Sequence, residues 1–330
     1  MNKITFEDLK TYKGFDEIDK KVKFIEANRH FCEYFIRELN QAIDLDYVKQ
    51  SELLEENNDH ELSKFVLDEN TKVLRSEPKL PIQELLNAKN EEEYHEITDR
   101  QHDDSTLILV KNNPDGTSEV TQLKTPSHLK AVTFALRQAR KERKICATTG
   151  EMPDLESSFI EKINEMIMAQ MLEFGPIVGY GNFRHSIWSN GAWYTSNVRI
   201  KDDPWIPTSS DDVEDAMNSV MEEFNKSTLH PILKAIIFKV RFIQVHPFRD
   251  GNGRTSRILL NYMLVRSGIP TVTIRGSQKD RYINAMHEAV VNDNYASIID
   301  IIKKLLNQRC DKYISIIKEC AKDIGVNISN

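Results

Sequence analysis

Apolar residues recur at helical spacing along most of the chain. In the second half they return every three to four positions over six segments, which predicts six helices. The segment 231–245 is apolar on nearly all sides, so it is predicted to lie at the buried centre of its domain. The predicted helices span residues 160–172, 212–225, 231–245, 254–267, 281–292 and 295–306.

The first half of the chain has a mixed pattern. Up to about residue 65 the apolar positions again fall near a helical period, which predicts helices. Between residues 105 and 123, an apolar run at 107–110 and an alternating segment at 118–123 flank an Asn-Pro-Asp-Gly turn, which predicts a β-hairpin. A helix follows to about Lys144, and its basic face is either solvated or binds an acidic partner. That face carries Lys130, Arg137, Arg140, Lys141, Arg143 and Lys144.

These patterns predict a mainly α protein with three parts. Residues 1–145 form a mostly helical N-terminal accessory domain with one hairpin, and a Thr-Thr-Gly-Glu-Met-Pro stretch at 148–153 marks its end. Residues 150–308 form a helical catalytic domain, and residues 309–330 a C-terminal helix. A chain of 330 residues is long enough for such a division.

Composition narrows the functional classes. The net charge is −7, which disfavours a nucleic-acid partner. No apolar run approaches the roughly 20 residues of a membrane span, and the first residues lack a signal sequence. The four cysteines and nine histidines show no disulfide or zinc spacing. We therefore expect a cytoplasmic protein with reduced thiols, in which any metal ion is bound by oxygen.

Residues 246–257 contain the clearest candidate chemistry. They read His-Pro-Phe-Arg-Asp-Gly-Asn-Gly-Arg-Thr-Ser-Arg and follow the apolar helix. The proline ends that helix and presents His246 at its end. An imidazole, with an ordinary pKa of about 6.5, suits the removal of a proton from a hydroxyl near neutral pH.

The rest of the segment has the features of a phosphate site. Gly251 and Gly253 allow main-chain N–H groups to converge on an anion at the start of the next helix. Arg254 and Arg257 lie on one helix face and offer forked donors to phosphate oxygens. Asp250 is a hard oxygen ligand suited to Mg²⁺. Each feature alone is common in ordinary turns and helices, but their combination favours transfer of a phosphate-bearing group to a hydroxyl.

The segment resembles the Fic family motif, His-x-Phe-x-Asp/Glu-Gly-Asn-Gly-Arg-x-x-Arg, at every defined position. The likeness extends over about residues 150–308, where residues 181–184 and 186–191 resemble other segments of the family. It implies an all-α Fic core with a β-hairpin flap. The implied reaction moves AMP from ATP to a Ser, Thr or Tyr hydroxyl of a protein and releases pyrophosphate.

The resemblance also implies residue roles. His246 is the base, Phe248 anchors the loop and Asp250 holds Mg²⁺. Asn252 and the amides of Gly251 and Gly253 hold the inner phosphates, while Arg254 and Arg257 reach the outer ones. Related Doc toxins carry lysine where this chain has Gly253, so this glycine favours AMP transfer over phosphorylation. The flap, at about residues 185–200, is expected to bind the target protein by strand addition.

Several alternatives stay open at this stage. The same fold could remove AMP, transfer UMP or phosphocholine, or serve as a nucleotide-binding regulatory or toxin module. A homodimer or a separate antitoxin partner is equally compatible with the sequence.

Many family members also carry an inhibitory helix, Ser/Thr-x-x-x-Glu-Gly/Asn, whose glutamate pairs with the second motif arginine. No perfect copy exists here, and we place it at Ser315 and Glu319, near the C-terminal end. The segments 51–55 and 157–161 are weaker candidates.

Overall fold

The computed structural model describes most of the chain as α-helix. The residues it describes are 3–55, 71–75, 106–112, 118–124, 127–169, 181–185, 187–189, 192–194, 197–199, 205–326 and 328. The helices are α1 Phe6–Leu9, α2 Asp16–Asn28, α3 Glu33–Leu54, α4 Ser127–Thr149, α5 Ser157–Ile167, α6 Val213–Lys226, α7 Pro231–Val245, α8 Asn252–Arg266, α9 Lys279–Asn292 and α10 Ala296–Asp323, with 3-10 turns at Arg29–Cys32 and Gly276–Gln278. The prediction of a mainly helical protein is confirmed.

The helix α7 lies at the centre of the helical packing. Pro231 occupies its first turn, where the missing N–H costs nothing, and the His230 ring accepts a hydrogen bond from the Ile232 N–H. Ten of its residues, from Ile232 to Val245, are buried. It contacts α6, α8, α9 and α10, and α8 in turn contacts α3 and α5. The predicted buried position of this helix is confirmed, and it gives the loop that follows a rigid support.

Two groups of strands accompany the helices. Strands β1 Thr71–Arg75, β2 Thr106–Asn112 and β3 Ser118–Lys124 form an antiparallel sheet in that order. Strands β2 and β3 correspond to the predicted hairpin, with Val110 opposite Val120, whereas β1 was not predicted. Strands β4 Ile187–Ser189 and β5 Ala192–Tyr194 pair antiparallel, with Trp188 opposite Trp193.

The compact units do not coincide with the predicted domain boundaries. Residues 1–57 and 131–330 form one unit, and residues 58–130 form the other. The N-terminal helices join the first unit because α2 packs on α10 and α3 contacts α8. The expected division at residues 308 and 309 falls inside α10, which continues unbroken to Asp323. In the described part of the chain, no helix is long and apolar enough to cross a membrane.

Candidate active site

His246 directly follows the last residue of α7 and turns the chain away from the helix. Its backbone is left-handed, with φ 54° and ψ 59°, a conformation that few residues other than glycine adopt. The Arg184 side chain holds this turn, since Nε donates to the His246 carbonyl at 2.8 Å and an Nη donates to the Val245 carbonyl at 3.1 Å. A cation at a helix C-terminus is stabilised by the helix dipole. Arg184 therefore fixes the main chain from which the candidate base projects.

Burial determines the charge of the His246 ring. Desolvation, and then the nearby Arg184 cation, lower the pKa of His246 to about 4, against the weaker opposing effects of Glu55 and the Ile243 carbonyl. Nδ1 is buried and makes no hydrogen bond of normal geometry. The ring is therefore neutral at pH 7 and able to accept a proton.

The loop after His246 is closed by its own side chains. Phe248 is fully buried, with its ring centroid 5.4 Å from that of Phe183 and 6.1 Å from that of Phe242. The Asn252 amide accepts from the Phe248 N–H at 2.9 Å and donates to the Phe248 carbonyl at 2.7 Å. The expected anchoring position of Phe248 is thus present, while the Asn252 side chain holds the loop itself.

Beyond this loop, the start of α8 forms a donor-rich concave region. Gly251 is the N-cap, with φ 77°, and the following first-turn N–H groups have no acceptor within the helix. The Arg254 guanidinium is buried, and its Nε has no hydrogen-bond partner among the described residues. Its nearest carboxylate oxygen belongs to the exposed Asp250, at 3.8 Å. These groups are arranged as an anion site with one carboxylate at its edge.

Arg257 is already engaged by the end of α3. Its Nε donates to Ser51 Oγ at 2.9 Å, and one Nη donates to the Ser51 carbonyl at 3.0 Å and to Glu55 Oε1 at 2.7 Å. This ion pair raises the pKa of the Arg257 guanidinium against the effect of its burial. Glu55 also lies against the main chain of the anion site, because a Cβ at Gly253 would overlap Glu55 Oε1. We call this arrangement the Glu55 contact.

The position predicted for the inhibitory pair is therefore corrected. Ser315 and Glu319 are exposed on α10, and the carboxylate on Arg257 is that of Glu55. Glu161, from the other weak candidate, accepts a hydrogen bond from the Phe183 N–H instead. The five-residue pattern is the same in all three segments, so the sequence does not show which helix end reaches the arginine.

Asn164, on α5, connects the parts of the site and was missed from the sequence. It is fully buried, and its Nδ2 lies 3.0 Å from the Asp250 carbonyl and 3.2 Å from Thr255 Oγ1. Its Oδ1 accepts from the Gly181 N–H at 3.0 Å. The available signal was a single amide residue in the apolar face of an amphipathic helix, which requires internal hydrogen bonds.

A buried lysine supports the anion site from behind. Lys239, on α7, is completely buried, and its Nζ donates to Ser256 Oγ at 2.9 Å. Ser256 Oγ donates in turn to the Gly253 carbonyl at 2.9 Å. Burial lowers the pKa of Lys239 well below its ordinary value. This chain of hydrogen bonds connects the centre of the helical packing to the first turn of α8.

The comparisons with known proteins concern the region that contains this site. The model described as "Fic/DOC family" matches residues 154–264, which include α5 and nearly all of α8. This chain contains a Fic/DOC family domain.

Curated relatives match over the Fic domain. The "Protein adenylyltransferase Fic" of Nematostella vectensis is 30% identical over 128 residues, which are 38% of this chain and 29% of the relative. The "Protein adenylyltransferase fic-1" of Caenorhabditis elegans is 31% identical over 123 residues, which are 36% of this chain and 24% of that protein. The matched segment thus spans less than a third of either relative.

Solved structures share the fold over a longer stretch. A Fic domain containing signaling protein from Bacteroides thetaiotaomicron has a TM-score of 0.55 at 20% identity, covering 95% of this chain and 98% of its own. A variant of Fic-1 from C. elegans has a TM-score of 0.51 at 16% identity, covering 91% of this chain and 73% of its own. At these identities the likeness concerns the Fic fold alone.

Proposed function

We propose that this chain is a protein adenylyltransferase that moves AMP from ATP to a Ser, Thr or Tyr hydroxyl of a target protein. The names of the relatives that match its Fic domain support the proposal. The observation that carries it is the placement of a neutral, half-buried His246 and the donor-rich start of α8 at the two ends of one short loop.

The reaction follows from that placement. The target hydroxyl oxygen attacks the α-phosphorus of ATP, and the bond from that phosphorus to the bridging oxygen of the β-phosphate breaks. Pyrophosphate leaves with the electron pair, and His246 takes the hydroxyl proton as general base. The negative charge of bound phosphates favours the protonated ring, so the pKa of His246 rises toward neutrality once ATP is present.

The phosphates are held by the start of α8. The main-chain N–H groups of Gly251, Asn252 and Gly253 would bind the inner phosphates, as at other helix N-termini. The Gly251 N–H now donates to Asp250 Oδ1 at 2.5 Å and would exchange this acceptor for a phosphate oxygen. The Nε of Arg254, which has no hydrogen-bond partner among the described residues, gains an acceptor when an anion binds at the start of α8. Arg257 reaches the outer phosphate after it leaves Glu55.

Asp250 is the residue that would hold Mg²⁺. Its carboxylate is exposed at the edge of the anion site. Among the described residues, no three His, Cys, Asp or Glu side chains are grouped to hold a metal ion. This fits Mg²⁺, which commonly takes one or two carboxylates and completes its coordination with phosphates and water. When bound, the ion would neutralise charge on the leaving phosphates.

We further propose that the Glu55 contact restrains the reaction. The Glu55 carboxylate forms an ion pair with Arg257 and lies against Gly253. A bound triphosphate would place its own negative charge in the same position. The target protein is expected to lie along residues 185–200, where β4 and β5 form the candidate flap.

Substitution of the proposed base tests the function. Purified wild type, His246→Ala and a matched His30→Ala control are incubated with ATP labelled on the α-phosphate, Mg²⁺ and a cell lysate. His30 is exposed on the 3-10 turn before α3, so its loss leaves the site intact. Label that appears with wild type and His30→Ala but falls at least 100-fold with His246→Ala supports the proposal. Equal labelling by all three proteins would exclude His246 as the base.

A further inference from the structure

A cavity lies apart from the candidate active site. It has a volume of about 440 Å³, and none of residues 246–257 lines it. Helices α2, α3 and α4, the C-terminal end of α8 and α10 all contribute to its walls. Cavities of a few hundred Å³ are the usual size of small-molecule sites.

The walls combine apolar and charged side chains. Ile25, Ile36, Val265 and Ile269 supply apolar surface. Four basic and two acidic side chains also line the cavity, which leaves an excess of two positive charges. The basic residues are Arg29, Arg140, Arg143 and Lys144, and the acidic ones are Glu26 and Asp44.

The basic side chains differ in how far they are already neutralised. Arg143 forms an ion pair with Glu26. Arg140 and Lys144 lie one turn apart on the same face of α4 and form no ion pair with any described residue. The basic face noted in the sequence thus places two cations that form no ion pair with a described residue in the wall of a partly apolar cavity.

We propose that this cavity binds a small molecule that carries about two negative charges on an apolar body, as an aryl phosphate does. The isoleucine and valine side chains accept the apolar body, and burial of that surface drives binding. The Arg140 guanidinium offers paired donors to phosphate oxygens, and Lys144, one turn further along the same helix, adds a second positive charge.

The cavity shares two helices with the Glu55 contact. Helix α3 contributes Ile36, Asn40 and Asp44 to the cavity. Ser51 lies near the other end of the same helix, 11 residues after Asn40, which corresponds to about 16 Å along the helix axis. Helix α8 carries Arg257 near its start and Val265 near its end. The cavity is present together with the Glu55 contact, so a ligand that fits this cavity and binds more weakly once the contact is broken stabilises the contact by mass action. On the proposed function, such a ligand therefore slows AMP transfer.

Binding is tested with 4-fluorophenyl phosphate as the probe, followed by ¹⁹F NMR line broadening. Wild type is compared with Arg140→Glu and Lys144→Glu, and Lys141→Glu serves as the matched control. Lys141 is exposed on the same helix but does not line the cavity, so its variant makes the same charge change elsewhere. We expect saturable binding to wild type and Lys141→Glu, weakened about tenfold or more in the other two variants.

Competition with ATP distinguishes this cavity from the nucleotide site. Excess ATP is expected to weaken probe binding to wild type only by a limited factor that stops growing once ATP saturates its own site, because coupling between two sites is reciprocal. Probe binding that falls without limit as ATP rises, that is equal in all four proteins, or that is absent at millimolar concentration would overturn the proposed site. Thermal melting of each variant checks that the charge reversals leave the fold intact.

The effect of the cavity ligand on AMP transfer is measured in a separate experiment. The probe is added to the labelling reaction of wild type and Lys144→Glu, and slower labelling of wild type alone is expected. Unchanged or faster labelling of wild type would overturn the coupling. A chain that binds the probe but transfers no AMP would refute the proposed function and leave the binding site standing.

Discussion

Replacement of Glu55 by glutamine is the sharpest test of the Glu55 contact. The variant keeps the size of the side chain and its hydrogen-bonding oxygen but removes its charge. Hydrogen bonds between charged groups contribute about 1.5–3 kcal/mol. The Arg257 side chain is 5% exposed and that of Glu55 is 27% exposed, so solvent screens part of the interaction. We take the lower part of that range, about 1.5–2 kcal/mol.

This free energy sets the expected size of the effect. A change of about 1.4 kcal/mol shifts an equilibrium tenfold, so Glu55→Gln favours the open arrangement by roughly 10–30-fold. When the blocked arrangement dominates, the apparent affinity for ATP and the initial rate of labelling both improve by that factor. Ser51 still bonds Arg257 in the variant, so release is incomplete.

The assay compares initial rates of transfer from α-labelled ATP, together with ATP affinity by calorimetry. Glu319→Gln is the matched control, because it makes the same change on an exposed position of α10. We expect the control to behave as wild type. A change below threefold in both rate and affinity for Glu55→Gln, or an equal gain with Glu319→Gln, would refute the argument.

Three further predictions concern the groups around the site. Asn164→Ala leaves the Gly181 N–H and the Asp250 carbonyl without their side-chain partner, so we expect a loss of about 1–3 kcal/mol in urea unfolding; a loss below 0.5 kcal/mol would contradict this. Lys239 has a lowered pKa in the folded state, so the unfolded state binds more protons between that lowered pKa and its ordinary value of 10.5, and across this window wild-type stability should rise with pH relative to Lys239→Met; parallel melting curves from pH 7 to 10 would contradict it. His246 must be neutral to act as base, and its pKa of about 4 predicts a kcat/KM that is flat from pH 6 to 8 and falls below pH 5; an inflection near pH 6.5 would show a normal histidine.

The sequence predicted the parts of the fold that depend on local pattern. Helix α7 begins and ends at the predicted residues because its apolar run, Pro231 and the following proline all act locally. Helix α8 begins at Asn252, two residues before the predicted start, because Gly251 serves as its N-cap. Helix α10 continues to Asp323, since Cys310, Tyr313 and Ile317 keep its apolar face buried beyond the predicted end.

Contacts between distant segments were not predictable in the same way. Glu55 and Arg257 are 202 positions apart, and only the packing of α3 against α8 brings them together. The sequence shows Lys239 only as a charged residue within an apolar helix, whereas its hydrogen bond to Ser256, and the bond from Ser256 to the Gly253 carbonyl, give it a supporting position behind the anion site. Such roles follow from tertiary packing, which a pattern of residue types does not specify.

The left-handed backbone of His246 makes activity and stability compete at a single position. A helix that stops in this conformation usually does so on glycine, and another residue there costs about 1 kcal/mol. His246→Gly would remove the base and relieve this strain at once, whereas His246→Ala would remove the base and keep it. The glycine variant should therefore be inactive yet melt at a higher temperature than the alanine variant, which makes it the better inactive form for trapping a complex with a target protein.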